Sequence, residues 1–489
     1  MSSKVNKSII FFVIMFLFML SLFFIYLNNM SKEIYLLIIM VLFFINFILI
    51  FDKIIGIRKT ILFALFCTLS FNIELSIFNY NSIYHTGGLR ASITITHMYI
   101  LILFLLFLYL FNKNSNPNKG SVKLEVLLFF LLFLTGGISL FVAVNKVATI
   151  YILNRYFFIM CLLIVLSKFK LNTIWNYFTF GVIVTIFFQF IVGVSQIITD
   201  GSIGLTMLGE SNRPFRINVP ESEKGMGGTL GHPGTLAIFL TLLFPFLLTQ
   251  FINAEKIKIK VISIVALMIG FLSILLTNAR TSIVLVVIST FVIVIGNYYI
   301  RNKHKMNVKK IKTYLLLILV LVTSGVIIML DDIKERFLYS DFSFQIGGRT
   351  AISELGISVI FKNISNFLFG VGLNNYTDNT SKFGSDFLHT QPVHNLYLLF
   401  WAEGGMLYLL VYLLLLIIII VKMIKVILKG SYNLATKALS VLVSLSIIIF
   451  YNFTGWSMFH NQLFFLFAII VIISALVFHY YKKNIETLD

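Results

Sequence analysis

The chain has 489 residues, 59% of them hydrophobic and 12% charged, with a mean hydropathy of +0.98. A water-soluble core cannot bury that much apolar surface, so a soluble globular protein is excluded. The net charge of +19 does not signify nucleic acid, because the basic residues collect in the connections between apolar runs.

Those runs are 17–26 residues long and recur along the whole chain. Each is long enough to cross a hydrocarbon layer of roughly 30 Å. A backbone in lipid must satisfy its own hydrogen bonds, so the runs become helices. In chain order the spacing predicts spans at 9–27, 34–51, 60–78, 93–111, 122–144, 150–166, 174–198, 230–252, 259–277, 281–300, 313–330, 396–421, 437–455 and 460–480. The expected fold is an all-α polytopic membrane protein of about 14 transmembrane helices, within a range of 12–14. The run at 9–27 follows Lys4 and Lys7 as a signal sequence would, but it is too long and no small-residue cleavage site follows it. Cys67 and Cys161 lie inside apolar runs and suggest neither a disulfide framework nor a metal site.

The chain therefore divides into seven spans (1–198), a loop (199–229), four spans (230–330), a larger loop (331–395) between the eleventh and twelfth spans, and three spans with a tail (396–489). With a cytoplasmic N-terminus, 25 of the 38 Lys and Arg fall on the inside and 13 outside. The positive-inside rule then puts both termini in the cytoplasm and both long loops outside. Of the inner residues 23 are Lys, whereas seven of the 13 outer ones are Arg: Arg90, Arg155, Arg213, Arg216, Arg280, Arg336 and Arg349. Arginine's planar fork suits bidentate binding of phosphate or carboxylate. Some of these arginines are expected to pair with loop carboxylates, and at least two to meet a phosphorylated ligand.

The loops carry particular signals. "NRPFRINVPESEKGMGGTLGHPGTLAIF" (212–239) brings Arg213 and Arg216 towards a helix entered at His232-Pro233, with His232 read as a helix-entry residue. "LTNARTSIVLVV" (276–287) sets Arg280 between two spans with almost no loop, where it either snorkels to headgroups or turns inward to a ligand. "GGRTAISELGISVIF" (347–361) reads as a helix whose N-terminus, after Gly347 and Gly348, would present N–H groups beside Arg349 as an anion site. "FGVGLNNY" (369–376) reads as a Gly-based turn. Glu74, near the outer end of an apolar run, reads as a partner in an internal ion pair. "HTQPVHNLYLLFWAEGG" (389–405) carries His394, Asn395 and Glu403 into the twelfth span. Nucleotide P-loops, HExxH, Cys/His ligand spacings and DxD are all missing, so no metal and no cofactor is expected, and a diphosphate here would be neutralised by arginine.

Four stretches in order, 231–248, 276–287, 347–376 and 393–416, make this chain resemble the O-antigen ligase and polysaccharide polymerase superfamily of bacterial envelope enzymes. The last contains His394, Asn395, Gly405 and Tyr408 at the superfamily's spacing. The resemblance covers about residues 225–416 and implies a metal-independent membrane glycosyltransferase that takes an undecaprenyl-diphosphate-linked glycan as donor. It implies Arg280 and Arg349 on the donor diphosphate and His394 at the reacting centre, activating the acceptor hydroxyl. Arg216 with Gly227 fits a further spacing of the polymerase branch, which adds Arg216 and the neighbouring Arg213 to the diphosphate-binding candidates. Asn395 and Glu403 are supporting residues; Glu403 either holds an outer arginine or tunes the histidine. The implied setting is the bacterial cytoplasmic membrane, with the lipid bilayer, a glycan acceptor and the pathway's chain-length regulator and flippase as partners. Polymerisation of repeat units is the favoured reading, ahead of ligase-type transfer of finished glycan and of a flippase or exporter.

Overall fold

The computed structural model describes residues 56–79, 92–110, 120–212, 225–307, 342–382, 391–455 and 459–486. The chain packs as two units, residues 1–65 and 66–489. The first is described only over 56–65, most of helix α1 (Ile57–Cys67). The spans expected at 9–27, 34–51 and 313–330 lie outside the described residues.

After α1 the second unit departs from the expected pattern. Residues expected as the end of one span and the start of the next form a two-stranded antiparallel ribbon, β1 (Glu74–Asn79) and β2 (Ser92–Thr96), pairing Glu74 with Thr96. The reason is local: "SITIT" alternates apolar Ile with Ser and Thr, and four of its five residues are β-branched, which fits a strand better than a helix. Helix α2 (His97–Leu110) follows, with only 14 residues. Apart from this ribbon, the described secondary structure is helical.

Nine helices among the described residues are long and apolar enough to cross a membrane. They are α3 (Lys123–Ile138, extended by a 3₁₀ turn to Phe141), α4 (Lys146–Leu166), α5 (Leu171–Thr199), α6 (Pro233–Asn253), α7 (Ile257–Leu276), α8 (Arg280–Lys303), and, after three helices of the large loop, α12 (Leu396–Lys429), α13 (Tyr432–Tyr451) and α14 (Asn461–Glu486). The loop helices are α9 (Phe342–Ile360), α10 (Ile364–Phe369) and α11 (Tyr376–Thr380). Each of the nine corresponds to an expected span; the total of fourteen is neither reached nor refuted by them.

α6 and α14 are apolar on every side and buried on nearly every side, which makes them the centre of the bundle. α7 and α8 leave rows such as Val261, Met268, Val284 and Ile288 exposed, as lipid-facing helices do. Between lipid-embedded helices the hydrophobic effect adds little, so side-chain hydrogen bonds help to hold register. Ser440 donates to Thr249 at 2.7 Å and Ser444 to the Leu242 carbonyl at 2.9 Å, tying α13 to α6.

Contacts between helix ends separate the two faces. At one end Lys422 of α12 pairs with the buried Glu125 of α3, and Arg301 of α8 donates to Tyr432 and to the Ile252 carbonyl. At the other end the Asn452 carbonyl after α13 accepts the Leu396 N–H, and Asn145 at the mouth of α4 is held by Asn375 of the large loop. His232, Arg280, His394 and His460 all belong to this second end, at or within two residues of the first residue of α6, α8, α12 or α14.

α12 is the helix that shapes this end. Its 34 residues would extend about 51 Å at 1.5 Å per residue, well beyond a hydrocarbon layer of roughly 30 Å. Gly405 interrupts it with φ 78° and ψ 177°. A Cβ there would lie 2.1 Å from the Leu368 carbonyl oxygen, so only glycine allows the end of α10 to enter the break. The segment from 406 onward suffices to cross, and residues 396–404 form a separate half-helix above it.

Gly405→Ala is therefore expected to destabilise the fold by at least about 2 kcal/mol, through positive φ and the backbone clash together. A clear drop in melting temperature in detergent, relative to a substitution at Gly137, which has open space around it, checks this.

Candidate functional site

The large loop is built around the break in α12. Gly370 and Gly372 have φ of 72° and 107°, and the chain between them donates from Val371 N to the Ala402 carbonyl (2.9 Å) and from Gly372 N to the Glu403 carbonyl (3.0 Å). The Glu403 side chain completes the arrangement. It is fully buried, and its two carboxyl oxygens accept the backbone N–H of Asn374 at 2.8 Å and of Tyr376 at 3.2 Å. A carboxyl group facing two amide donors in a low-dielectric interior makes strong hydrogen bonds. Glu403 thus fixes the 370–376 turn onto the half-helix.

On the far side of that turn Asn375 is saturated. Its side-chain oxygen accepts the Asn145 N–H, and its amide nitrogen donates to Asn145 O, Thr149 Oγ1 and Leu373 O at 2.8–3.1 Å. The turn is thereby clamped between α12 and α4. Asn374, in the left-handed region at φ 57°, is 1% exposed, yet neither atom of its side-chain amide has a hydrogen-bond partner among the described residues. The buried Tyr376 hydroxyl has none either.

α9 lies over this turn. A Cβ at Gly356 would come 2.7 Å from Val393 Cγ2 and 3.6 Å from Tyr376 Oη, so the helix backbone rests directly on the residue before His394. Two turns earlier on α9, Arg349 is exposed and close enough to act on His394 electrostatically. The expected helix start after Gly347-Gly348 is corrected: α9 begins at Phe342, so Arg349 sits within the helix and those glycine N–H groups are not free ends. "FSFQI" supplies the extra N-terminal turns.

His394 itself is half-buried. Burial and the Arg349 guanidinium lower its pKa below the ordinary 6.5, partly offset by a hydrogen bond to the Pro392 carbonyl. A carbonyl can only accept, so one ring nitrogen carries the proton and the other keeps its lone pair in the neutral ring. Asn395 caps α12, accepting the N–H of Tyr397 at 3.0 Å and of Leu398 at 3.2 Å. Its neighbour Leu396 is anchored to Asn452, whose amide also donates to Tyr412 at 3.1 Å. The mouth of α12 is therefore rigid.

Arg280 opens α8 at the same end, half-buried, after the Thr277-Asn278-Ala279 corner in which Asn278 has φ 57°. Ala279 has no side chain with which to cap the helix, and the buried Ser282 hydroxyl in the first turn has no hydrogen-bond partner among the described residues. The N-terminus of a helix, a hydroxyl and a guanidinium make a turn suited to an anion. Residues 225–231 sit against this corner, with Met226 N donating to the Leu276 carbonyl. They are held to α5 by Gln189 on Thr229 and by Gln196 on Gly228. Arg213 and Arg216 lie outside the described residues. Among the described residues α8 packs against α13, whose end anchors Leu396.

His232 takes up the role expected of it, capping α6 by accepting the Gly234 N–H at 3.0 Å, as a helix-entry residue does. Glu74, expected in an ion pair, accepts from the neutral side-chain amide of Asn461 at the start of α14. Sequence reasoning missed His460, which is half-buried, 3.3 Å from Thr235 Oγ1, and pushed down to about 4 by desolvation and the nearby His232 and Arg155. It also missed Asn374 and Tyr376, whose stretch had only its glycines as a signal. Arg155, counted among the outer arginines, is buried within the bundle, donating to the Phe459 carbonyl and stacking on Phe464.

With this geometry in view, residues 264–413 match the model of a family described as O-antigen ligase. The matched region runs from α7 to the upper part of α12 and contains Arg280, Arg349, His394 and Glu403. No curated protein matches the chain.

Two outcomes are expected. The imidazole of His394, followed by isotope-edited NMR in nanodiscs, titrates below 6.5, and Arg349→Ala raises that pKa. Because the folded value is the lower one, this group's contribution to stability is present above about 6.5 and is lost as pH falls through the folded pKa. Glu403→Gln turns one N–H acceptor into a donor and is expected to cost about 1–3 kcal/mol in thermal unfolding.

Proposed function

We propose, from the premise that residues 264–413 form a domain of the O-antigen ligase family, that the chain is a membrane glycosyltransferase. In this reading it polymerises undecaprenyl-diphosphate-linked oligosaccharide units on the outer face of the bacterial cytoplasmic membrane. The observation that carries the reading is the pairing of a neutral, lowered-pKa His394 with the exposed Arg349 guanidinium, on a rigid helix mouth inside the matched region.

The reaction is substitution at an anomeric carbon with a diphosphate as leaving group. Negative charge grows on that diphosphate as its bond to the sugar breaks. Arg349 and the Arg280 turn of α8 are fixed positive groups that meet this charge, which is electrostatic preorganisation. Arginine takes the neutralising role here, so transfer is expected to persist in EDTA. The acceptor hydroxyl attacks from the opposite side, and the neutral imidazole of His394 orients it and takes its proton, a contribution typically of about 10²–10⁴-fold. Inversion at the sugar follows from a single displacement. The lowered pKa keeps the ring unprotonated at neutral pH, ready to accept.

His394→Ala is expected to abolish elongation of envelope polysaccharide in cells, and Arg349→Lys or Arg280→Lys to lower it at least tenfold, because a lysine loses the bidentate fork. Gel profiles of extracted glycan read chain length and yield together. Normal profiles in all three variants would overturn the reading. Loss of attachment to another acceptor, with chain length unchanged, would replace polymerisation by ligase-type transfer.

A further inference from the structure

The two asparagines of "GLNNY" are adjacent in sequence but have opposite environments. Asn375 has partners for its amide oxygen and its amide nitrogen, all within the protein. Asn374 is as deeply buried, yet its amide oxygen and nitrogen have none. Two residues on, the Tyr376 hydroxyl is also buried and unpartnered. Buried polar atoms are nearly always hydrogen-bonded, and leaving one unmade costs about 1–3 kcal/mol. Here three such atoms lie within three residues.

The backbone around them is held with care. Glu403 fixes the N–H of both residues, so the turn cannot relax to give the side chains partners. Tyr376 Oη lies beside Gly356 of α9, on the helix that carries Arg349, and beside Val393, which precedes His394. The Tyr376 hydroxyl is therefore at the site, beside the helix that carries Arg349 and the residue before His394, and Asn374 is two residues away on the same turn. The unsatisfied groups comprise one amide donor, one amide acceptor and one hydroxyl, which does both. No charge is among them, so a phosphate is not their match. A ring bearing several hydroxyls is, because neighbouring hydroxyls each need a donor and an acceptor.

We propose that Asn374 and Tyr376 form a sugar subsite, recognising hydroxyls of the glycan whose anomeric carbon or acceptor oxygen faces His394. This rests on the glycosyltransferase reading and specifies where the site reads its sugar. Glu403 is then a positioning residue, acting through the backbone of the subsite. The groups are shielded from bulk water, so a hydroxyl reaching them meets little competition, and a site built this way discriminates strongly against a sugar lacking that hydroxyl.

The test uses full-length protein in nanodiscs carrying His394→Ala, so that donor is bound but not consumed. Binding is measured for two probes: bare undecaprenyl diphosphate, and the undecaprenyl-diphosphate-linked oligosaccharide extracted from the cells that make the chain. Each is measured with and without Tyr376→Phe or Asn374→Gly, the latter chosen because glycine accepts the positive φ. The expected result is that each variant weakens the glycan-bearing lipid about 3–10-fold and leaves the bare lipid unchanged. In the same samples Tyr376→Phe is expected not to lower the melting temperature, since the hydroxyl it removes has no partner among the described residues. Unchanged binding of the glycan-bearing lipid in both variants overturns the subsite. A fall in melting temperature on Tyr376→Phe also overturns it, by showing a structural role for the hydroxyl. Failure of the parent protein to bind either lipid overturns the glycosyltransferase reading itself, and the subsite with it.

Discussion

One buried carboxyl group organises the face of this membrane protein that carries its candidate chemistry. Glu403 sits two residues before the break in α12 and accepts two backbone N–H groups from the 370–376 turn. Without it those amides would be stranded in an apolar interior. With it, the turn becomes a platform: Asn375 reaches back to α4, Tyr376 supports α9, and α9 brings Arg349 over His394. Removing this acceptor would unfasten the platform while leaving the nine spanning helices intact, since they are held elsewhere by α6, α13 and α14.

The break at Gly405 has the same logic. A continuous α12 would carry Glu403 down a single helix, with its carboxyl group facing lipid or neighbouring side chains. The interruption lets α10 dock into the helix and turns residues 396–404 into a rigid lip, capped by Asn395 and anchored by Asn452. A histidine on such a lip has a fixed position relative to the bilayer. Catalysis by prepositioned charge depends on that rigidity, because a group that must first reorganise gives up much of its effect.

Much of this was legible in the sequence, and for definite reasons. Hydropathy runs identify spanning helices because lipid leaves the backbone no alternative, so the nine described spans fall where the runs do. His394, Asn395 and Glu403 stood out because polar residues are costly inside an apolar run. Elements outside lipid were harder. The β1–β2 ribbon was hidden among apolar residues that suit either structure, and only the Ser/Thr alternation of "SITIT" distinguishes it. The true start of α9 was obscured by two glycines that look like a boundary. The role of Glu403 could not be read at all: its partners are main-chain groups 27 and 29 residues earlier, and backbone donors leave no mark in a sequence. Asn374 was hidden for the opposite reason, since what singles it out from Asn375 is that its side chain lacks a partner among the described residues.

The account turns on whether this face joins sugars. The most direct measurement is to reconstitute the purified chain in proteoliposomes with undecaprenyl-diphosphate-linked oligosaccharide, add EDTA, and follow the size of the lipid-linked glycan. The expected result is a ladder of lengthened chains, with undecaprenyl diphosphate released for each unit joined. Recovery of the donor unchanged in size, with no released undecaprenyl diphosphate, would contradict it.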